Sequence, residues 1–217
     1  MSGLDAIWEA RDLFAAGAWT TLALVGLCLA TSVPLALLAG AVLGEGPRAL
    51  ANAARLVADG MRCVPFLLFA YLVYYGLPAL GVRLEPFAAG LLSLVVYNTA
   101  YFFEIFRSQA QTLPPETLLA ADAFGFSRRK RYQRIVLPQL LGAAAPMLGN
   151  QAIMVMKDSA LLMVITLQDI TFAANFVSAN AFAPFAIKWK HRSYKRLRLL
   201  ALPPPNPRVY QIPQAWS

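Results

Sequence analysis

Long apolar stretches alternate with short polar ones along this chain. The first apolar stretch runs from Trp19 to Leu43 without a charged residue, and a helix needs about 20 apolar residues to cross a bilayer. Others lie at about residues 57–77, from Phe87 to Phe106 and from Leu137 to Ile165, and a weaker one at 170–187. The pattern predicts an all-α integral membrane protein, a bundle of four to five transmembrane helices.

The composition agrees with this prediction. Hydrophobic residues make up 59% of the 217 residues and charged residues 14%, whereas about half apolar and a quarter charged is usual in soluble domains. Mean hydropathy is +0.54. The net charge of +8 does not indicate nucleic-acid binding, because the charge lies beside apolar spans. We therefore expect the lipid bilayer as the surrounding medium and no nucleic-acid partner.

Three regions follow from the pattern. Residues 1–17 are mildly amphipathic and predict a short helix on the membrane surface. Residues 18–187 hold the spans, and residues 1–187 together carry a net charge of +1. Residues 188–217 hold seven of the nineteen basic residues, no acid and several prolines, so they cannot form a spanning helix. We expect this basic, proline-rich tail to be foreign to the fold or disordered; a genuine basic tail is the alternative.

The basic residues also predict orientation. Arg48, Arg55 and Arg62 lie between the first two spans, and Arg107 with the cluster at 128–134 lies between the third and fourth. Loops rich in basic residues stay in the cytoplasm. The N-terminus is therefore predicted outside and residues 107–138 inside.

The longest polar stretch between spans, from Glu104 to Pro138, predicts two helices with a tight turn between them. Pro115 can open a helix because the first turn needs no backbone donor, and Glu116 there suits the helix dipole. Gly125 is a natural left-handed stop, and the second helix is expected to end before Pro138. Two interpretations stay open on this basis: an ordinary cytoplasmic loop, or a docking surface.

The stretch resembles the EAA loop of binding-protein-dependent ABC transporter permeases. That pattern is E-A-A, three residues, G, and then about nine residues to I-x-L-P. Leu119 stands at the glutamate position, which departs from the pattern, and Asp122 fits an intervening position. The matching residues are Ala120, Ala121, Gly125, Ile135, Leu137 and Pro138.

The flanks are similar to the polar amino-acid subfamily of these permeases. The segments at 62–67 and 74–78 resemble its R-G-x-P-L-L and Y-Y-G-L-P elements. Tyr101, Glu104 and Arg107 resemble A-Y-x-x-E-I-x-R. Lys157 opens a segment like K-D-x-S-L. These blocks cover about residues 20–187 in the right order.

The resemblance implies a permease subunit that imports polar amino acids or similar small solutes across a bacterial cytoplasmic (inner) membrane. Such permeases form a homo- or heterodimer of membrane subunits. The helix of the coupling loop, residues 107–138, fits a groove in a dimer of ATP-hydrolysing subunits, and a periplasmic or extracellular solute-binding protein delivers the solute. This chain has no Gly-Lys dipeptide and hence no Walker A loop. The chain is thus expected to be no enzyme and to bind no cofactor or metal, with ATP and Mg used by the partner.

Polar residues inside the apolar stretches are candidates for a substrate path or gate. Charge is costly there, so Lys157 and Asp158 either line the path or form a salt bridge that fixes packing. Glu104 and Arg107, three apart on a helix, could pair. The full candidate set is Arg62, Asn98, Glu104, Asn150, Lys157 and Asp158.

The remaining roles are also open between two interpretations. Asn150 could bridge two helices by hydrogen bonding, and Arg62 could extend to the inner interface or act at a gate. A passive channel and a membrane-embedded enzyme are the rival functions. An enzyme is disfavoured because His191 is the one histidine and paired carboxylates do not converge on a site.

Overall fold

The structure is a computed structural model that describes residue 8, residues 10–45 and residues 47–179. By its internal contacts the chain divides into Ala10–Ala174 and a second unit, of which residue 8 and residues 175–179 are described. The helices are α1 (Arg11–Glu45), α2 (Arg48–Cys63), α3 (Phe66–Tyr71), α4 (Pro86–Ala110), α5 (Pro115–Ala123), α6 (Arg128–Arg131), α7 (Leu137–Leu161) and α8 (Ile170–Ala179).

Short turns of other helix types extend several of these helices. A π-helical turn, Leu72–Gly76, and a 3₁₀ turn, Leu77–Leu80, follow α3. A second π-helical turn, Tyr132–Val136, joins α6 to α7, and α7 ends in the 3₁₀ turn Leu162–Ile165. These tighter and wider turns keep the backbone hydrogen-bonded where the regular α pattern stops.

The core lies where α4 packs between α1 and α7. Leu24 and Cys28 of α1 and Phe102 of α4 are fully buried, as is Val155 of α7. Of the three spans found among the described residues, α4 has half of its apolar window buried, and the other two have 28%. The outer faces of α1 and α7 are apolar and exposed, as expected for helices that meet lipid or a second subunit.

The predicted bundle of membrane helices is confirmed. Among the described residues, three helices are long and apolar enough to cross a membrane: Arg11–Ala41, Pro86–Ala110 and Arg129–Ile165. A fourth crossing exists if α2 and the helix that begins at Phe66 act as one bent span. Of the weaker stretch at 170–187, residues 170–179 form α8, and the rest lies outside the described residues.

The span predicted at about residues 57–77 is not one continuous helix. The helix axis turns by 98° between Arg48–Cys63 and Phe66–Leu80. Val64 is extended, with φ −86° and ψ 131°, because the ring of Pro65 disfavours helical geometry in the residue before it. The chain therefore forms a corner here, which divides the predicted span into an amphipathic helix and an apolar one.

The second helix of the coupling loop also differs from the prediction, because it does not end before Pro138. Helical structure continues from residue 129 to residue 165. In the π-helical turn the N–H of Leu137 donates to the carbonyl of Tyr132, five residues back. This wider turn accommodates a proline ring that would otherwise clash with the preceding turn of an α-helix.

Two predicted regions lie wholly or partly outside the residues that the structure describes. The tail at 188–217 lies outside the described residues. Of the surface segment predicted at 1–17, the described part from Arg11 onward forms the first turns of α1. That helix continues through Pro34 without a break.

Candidate functional site

The coupling loop holds a short helix whose ends are fixed by local residues. Pro115 occupies the first turn of α5, and Glu116 stands beside it, as predicted. Gly125 has φ +69°, a left-handed conformation that is easy only for glycine. Its N–H donates to the carbonyl of Asp122 at 3.0 Å, and the N–H of Phe126 donates to the carbonyl of Ala121 at 3.1 Å. The helix thus ends in a hydrogen-bonded glycine cap.

The predicted coupling residues do not all face the same way. Leu119 is 68% exposed, whereas Ala121 is 3% exposed. Asp122 forms an ion pair with Arg131 of α6, so its carboxylate holds the two short helices together. Ala120, Gly125 and Pro138 are exposed, and Ile135 and Leu137 are partly buried.

Phe124 is a functional candidate that the sequence analysis missed. Its side chain is 82% exposed, more than that of any other large apolar residue among those described. The available signal in the sequence was a large aromatic residue directly before the glycine that ends the helix. A residue at that position stands after the last helical turn, where its ring need not pack against the helix. Leu119 of α5 and Phe124, the residue directly after α5, are both apolar, and the rest of the described chain does not cover them.

Charged side chains meet where α4 approaches the coupling loop. Arg107 donates two hydrogen bonds to the carboxylate of Glu104, at 2.7 and 2.5 Å, so the predicted pairing is confirmed. Arg62 of α2 lies 3.9 Å from the same carboxylate and 3.2 Å from Asp59. Its guanidinium also stands 5.6 Å from the ring centre of Tyr101. These contacts of Arg62 join α2 to α4. They favour a packing role for Arg62.

The buried polar contact between spans is made by a different residue from the one predicted. Asn150 is exposed on this chain and does not supply the buried contact among the described residues, so its bridging role stays a prediction. Its neighbour Gln151 donates to the side-chain oxygen of Asn98 at 2.9 Å, and Asn98 donates to the carbonyl of Leu94. Asn150 and Gln151 point to different faces of α7, and sequence alone does not show which face meets α4.

Lys157 and Asp158 do not form the salt bridge that the sequence left open. Among the residues that the structure describes, no ion pair is formed by either side chain. Lys157 is exposed and Asp158 partly buried. Asn150 and Lys157 are seven apart on α7 and so share a face. This face carries polar groups that the described part of the chain leaves uncovered.

Tyr97 holds the corner between α2 and α3, and the sequence analysis did not identify it. Its hydroxyl lies 3.0 Å from the carbonyl oxygen of Val64, to which it donates. The ring packs edge-on against Phe66 and is stacked with Phe69. Because α4 supplies this bond, the position of the corner depends on the position of α4.

Comparisons with known proteins agree with this architecture. Over 179 residues the chain is 32% identical to the histidine/lysine/arginine/ornithine transport system permease protein HisQ of Escherichia coli (strain K12), covering 75% of this chain and 78% of HisQ. It is 33% identical over 127 residues to the probable glutamine ABC transporter permease protein GlnM of Bacillus subtilis (strain 168). That alignment covers 58% of this chain and 59% of GlnM.

A solved structure and a family profile extend the comparison. A crystal structure of an amino acid ABC transporter with histidines matches with a TM-score of 0.74 and 25% identity, covering 92% of this chain and 97% of that one. The profile of the binding-protein-dependent transport system inner membrane component matches residues 32–187. The chain therefore belongs to the family of binding-protein-dependent transport system inner membrane components.

Proposed function

We propose that this chain is the membrane-spanning permease subunit of an ATP-driven importer of polar amino acids or similar small solutes. The permeases to which it is similar are named for glutamine and for histidine, lysine, arginine and ornithine. Family membership favours import over a passive channel or a membrane-embedded enzyme. The observation that carries the proposal is the exposure of two apolar side chains, Leu119 of α5 and Phe124 directly after it.

These two side chains would dock on a separate ATP-hydrolysing subunit. Apolar side chains on a rigid helix are suitable anchors for a partner's groove. The glycine cap and the Asp122–Arg131 ion pair hold α5 in a fixed position against α6. Leu119 would replace the polar contact of the glutamate that the pattern expects with an apolar one. ATP and Mg would be bound by the partner and not by this chain.

A second permease subunit would complete the solute path. Asn150 and Lys157 lie on an uncovered face of α7, and polar groups within a span generally face a cavity or another subunit. We place the solute path along this face, with Asp158 beside it. Asn98 would act indirectly, because its side-chain amide is bonded within the bundle. A solute-binding protein would deliver the solute on the far side from the coupling loop.

The orientation belongs to the same proposal. Arg48, Arg55 and Arg62 of α2 and the basic residues of α6 lie at polar segments between spans. The excess of basic residues in such segments favours the cytoplasmic side. With α2 and the helix that begins at Phe66 crossing together as one bent span, the coupling loop would face the cytoplasm, where the ATPase is, and α1 would begin outside.

The test is copurification of the tagged chain with an ATP-hydrolysing subunit from its own cells, followed by uptake in vesicles loaded with ATP. Wild type should retain the ATPase, and Phe124→Asp should reduce the amount retained at least tenfold, because a charge would replace an anchor. Leu80→Asp is the matched control: Leu80 is 79% exposed but lies in the loop between α3 and α4. Equal retention by the Phe124 variant would remove the docking role, and uptake without ATP would indicate a channel.

A further inference from the structure

A crevice of about 250 Å³ opens beside the coupling loop, and none of the features described so far occupies it. Four helical segments line it: the last turns of α1, the first half of α2, the end of α4 and the helix that leaves the coupling loop. Most of its wall is apolar, from Leu37, Phe103, Phe106, Val136 and Leu140. The crevice therefore touches both ends of the coupling loop.

Two arginines stand at this apolar crevice. Arg55 is exposed, and no ion pair is formed by it among the residues that the structure describes. Arg107 gives its Nε and Nη2 donors to Glu104, which leaves Nη1 without a described hydrogen bond. A guanidinium carries five N–H donors in a fixed fork, so both residues keep donors for an anionic oxygen.

The charges around the crevice do not cancel. Arg62 is paired with Asp59, and Arg107 with Glu104. Arg55 remains as the additional positive charge at an apolar opening. An occupant that fits these groups has a negatively charged head and an apolar body.

We propose that the crevice binds an anionic phospholipid, with its phosphate at Arg55 and Arg107 and an acyl chain against the apolar wall. Basic pockets between transmembrane helices next to the polar loops bind anionic head groups in this way. A soluble anion would leave the apolar wall uncovered, and a zwitterionic lipid would place its own cation beside Arg55. A bound lipid would brace the end of α4 against the start of α7. The proposal does not depend on the solute or on the partner ATPase.

The experiment titrates the detergent-solubilised full chain with dioleoyl-phosphatidylglycerol and, separately, with dioleoyl-phosphatidylcholine, and counts bound lipid by native mass spectrometry. Phosphatidylglycerol should bind more tightly to wild type. Arg55→Gln should weaken its binding about fivefold, the size expected for one basic residue at an anionic head group. Arg48→Gln is the control for charge: Arg48 lies seven residues earlier on the same face of α2, and the crevice does not include it.

A second variant tests the apolar part of the site. Gly40 lines the crevice, and a Cβ there would meet nothing within 4 Å, so Gly40→Leu should fill space without disturbing the fold and should reduce phosphatidylglycerol binding. Gly26→Leu on the same helix has equally open space away from the crevice and should bind as wild type does. Equal binding of the two lipids, or unchanged binding by Gly40→Leu, would overturn the proposal. Competition by inorganic phosphate would show a site for a free anion instead.

Discussion

At the scale of single residues, Gly17 is the described glycine at which an added side chain would meet the nearest atom. A Cβ added there would lie 2.7 Å from the carbonyl oxygen of Asp169. Four residues later, the hydroxyl of Thr21 accepts a hydrogen bond from the N–H of Ile170 at 3.2 Å. Asp169 in turn accepts the N–H of Phe172 at the start of α8. The missing side chain of Gly17 is what lets α1 contact the segment that follows α7.

The first prediction concerns this contact. Gly17→Ala should force the backbone of residues 169–170 away from α1, at a cost of about 1–3 kcal/mol, as for other oversized substitutions in packed sites. Thermal unfolding of the detergent-solubilised chain should therefore occur at a lower temperature. Gly26→Ala is the control, since its Cβ would meet nothing within 4 Å and alanine is the better helix former. Because alanine should stabilise α1 where no contact opposes it, equal lowering by both variants would show that the contact at Gly17 is not responsible.

At the scale of elements, α5 shows how a short helix can be specified almost entirely by its own sequence. Proline at the first turn and a left-handed glycine after the last turn define its limits. A Cβ on Gly125 would meet no atom within 4 Å. A substitution there is consequently limited by the backbone conformation and not by space.

The second prediction separates these two causes. Gly125→Val should displace α5 and lower ATP hydrolysis coupled to transport severalfold, because a β-branched residue is strongly disfavoured at φ +69°. Membrane insertion should persist. Gly125→Asn should keep most of the coupled activity, since asparagine tolerates this conformation. Full transport by the valine variant would show that the turn does not position α5.

The elements that sequence predicted well are the ones with local causes. The spans at α1, α4 and α7 follow from runs of apolar residues, and α5 follows from its proline and glycine. The corner at Val64 had a local signal in Pro65, but a proline within a span is often tolerated, so the sequence did not distinguish a kink from a 98° turn. The roles of Gln151 and Tyr97 depend on which faces of two helices meet, and one helix's sequence does not contain that information.

At the scale of the whole molecule, the bundle covers α4 more than its other spans. The spans of α1 and α7 have 28% of their apolar windows buried within the chain, against 50% for α4. The charged residues of α7 lie toward the uncovered side, because Lys157 is exposed. The described chain therefore leaves most of the apolar surface of α1 and α7 open to lipid or to another subunit.

The third prediction tests the solute path on this side. Lys157→Met and Asp158→Asn should each lower solute uptake about tenfold if they contact the solute or gate, the scale of a charged hydrogen bond. The measurement is the initial uptake rate in vesicles at matched protein levels. Arg83→Gln serves as the control, because Arg83 is a charged residue in the loop before α4. Unchanged rates in the Lys157 and Asp158 variants would leave these residues outside the path.

The hydroxyl bond from Tyr97 to Val64 has a consequence for biosynthesis. The two residues are 33 apart in the chain, so the corner at Val64 leaves the ribosome before the Tyr97 hydroxyl that donates this bond. Until α4 arrives, the carbonyl of Val64 lacks this partner, and an unsatisfied backbone group in hydrocarbon costs several kcal/mol. The nascent helices α2 and α3 would therefore stay near water or the insertion machinery until α4 is made. The helices α2 and α3 would then enter the membrane together with α4, and the corner would take its final position at that step.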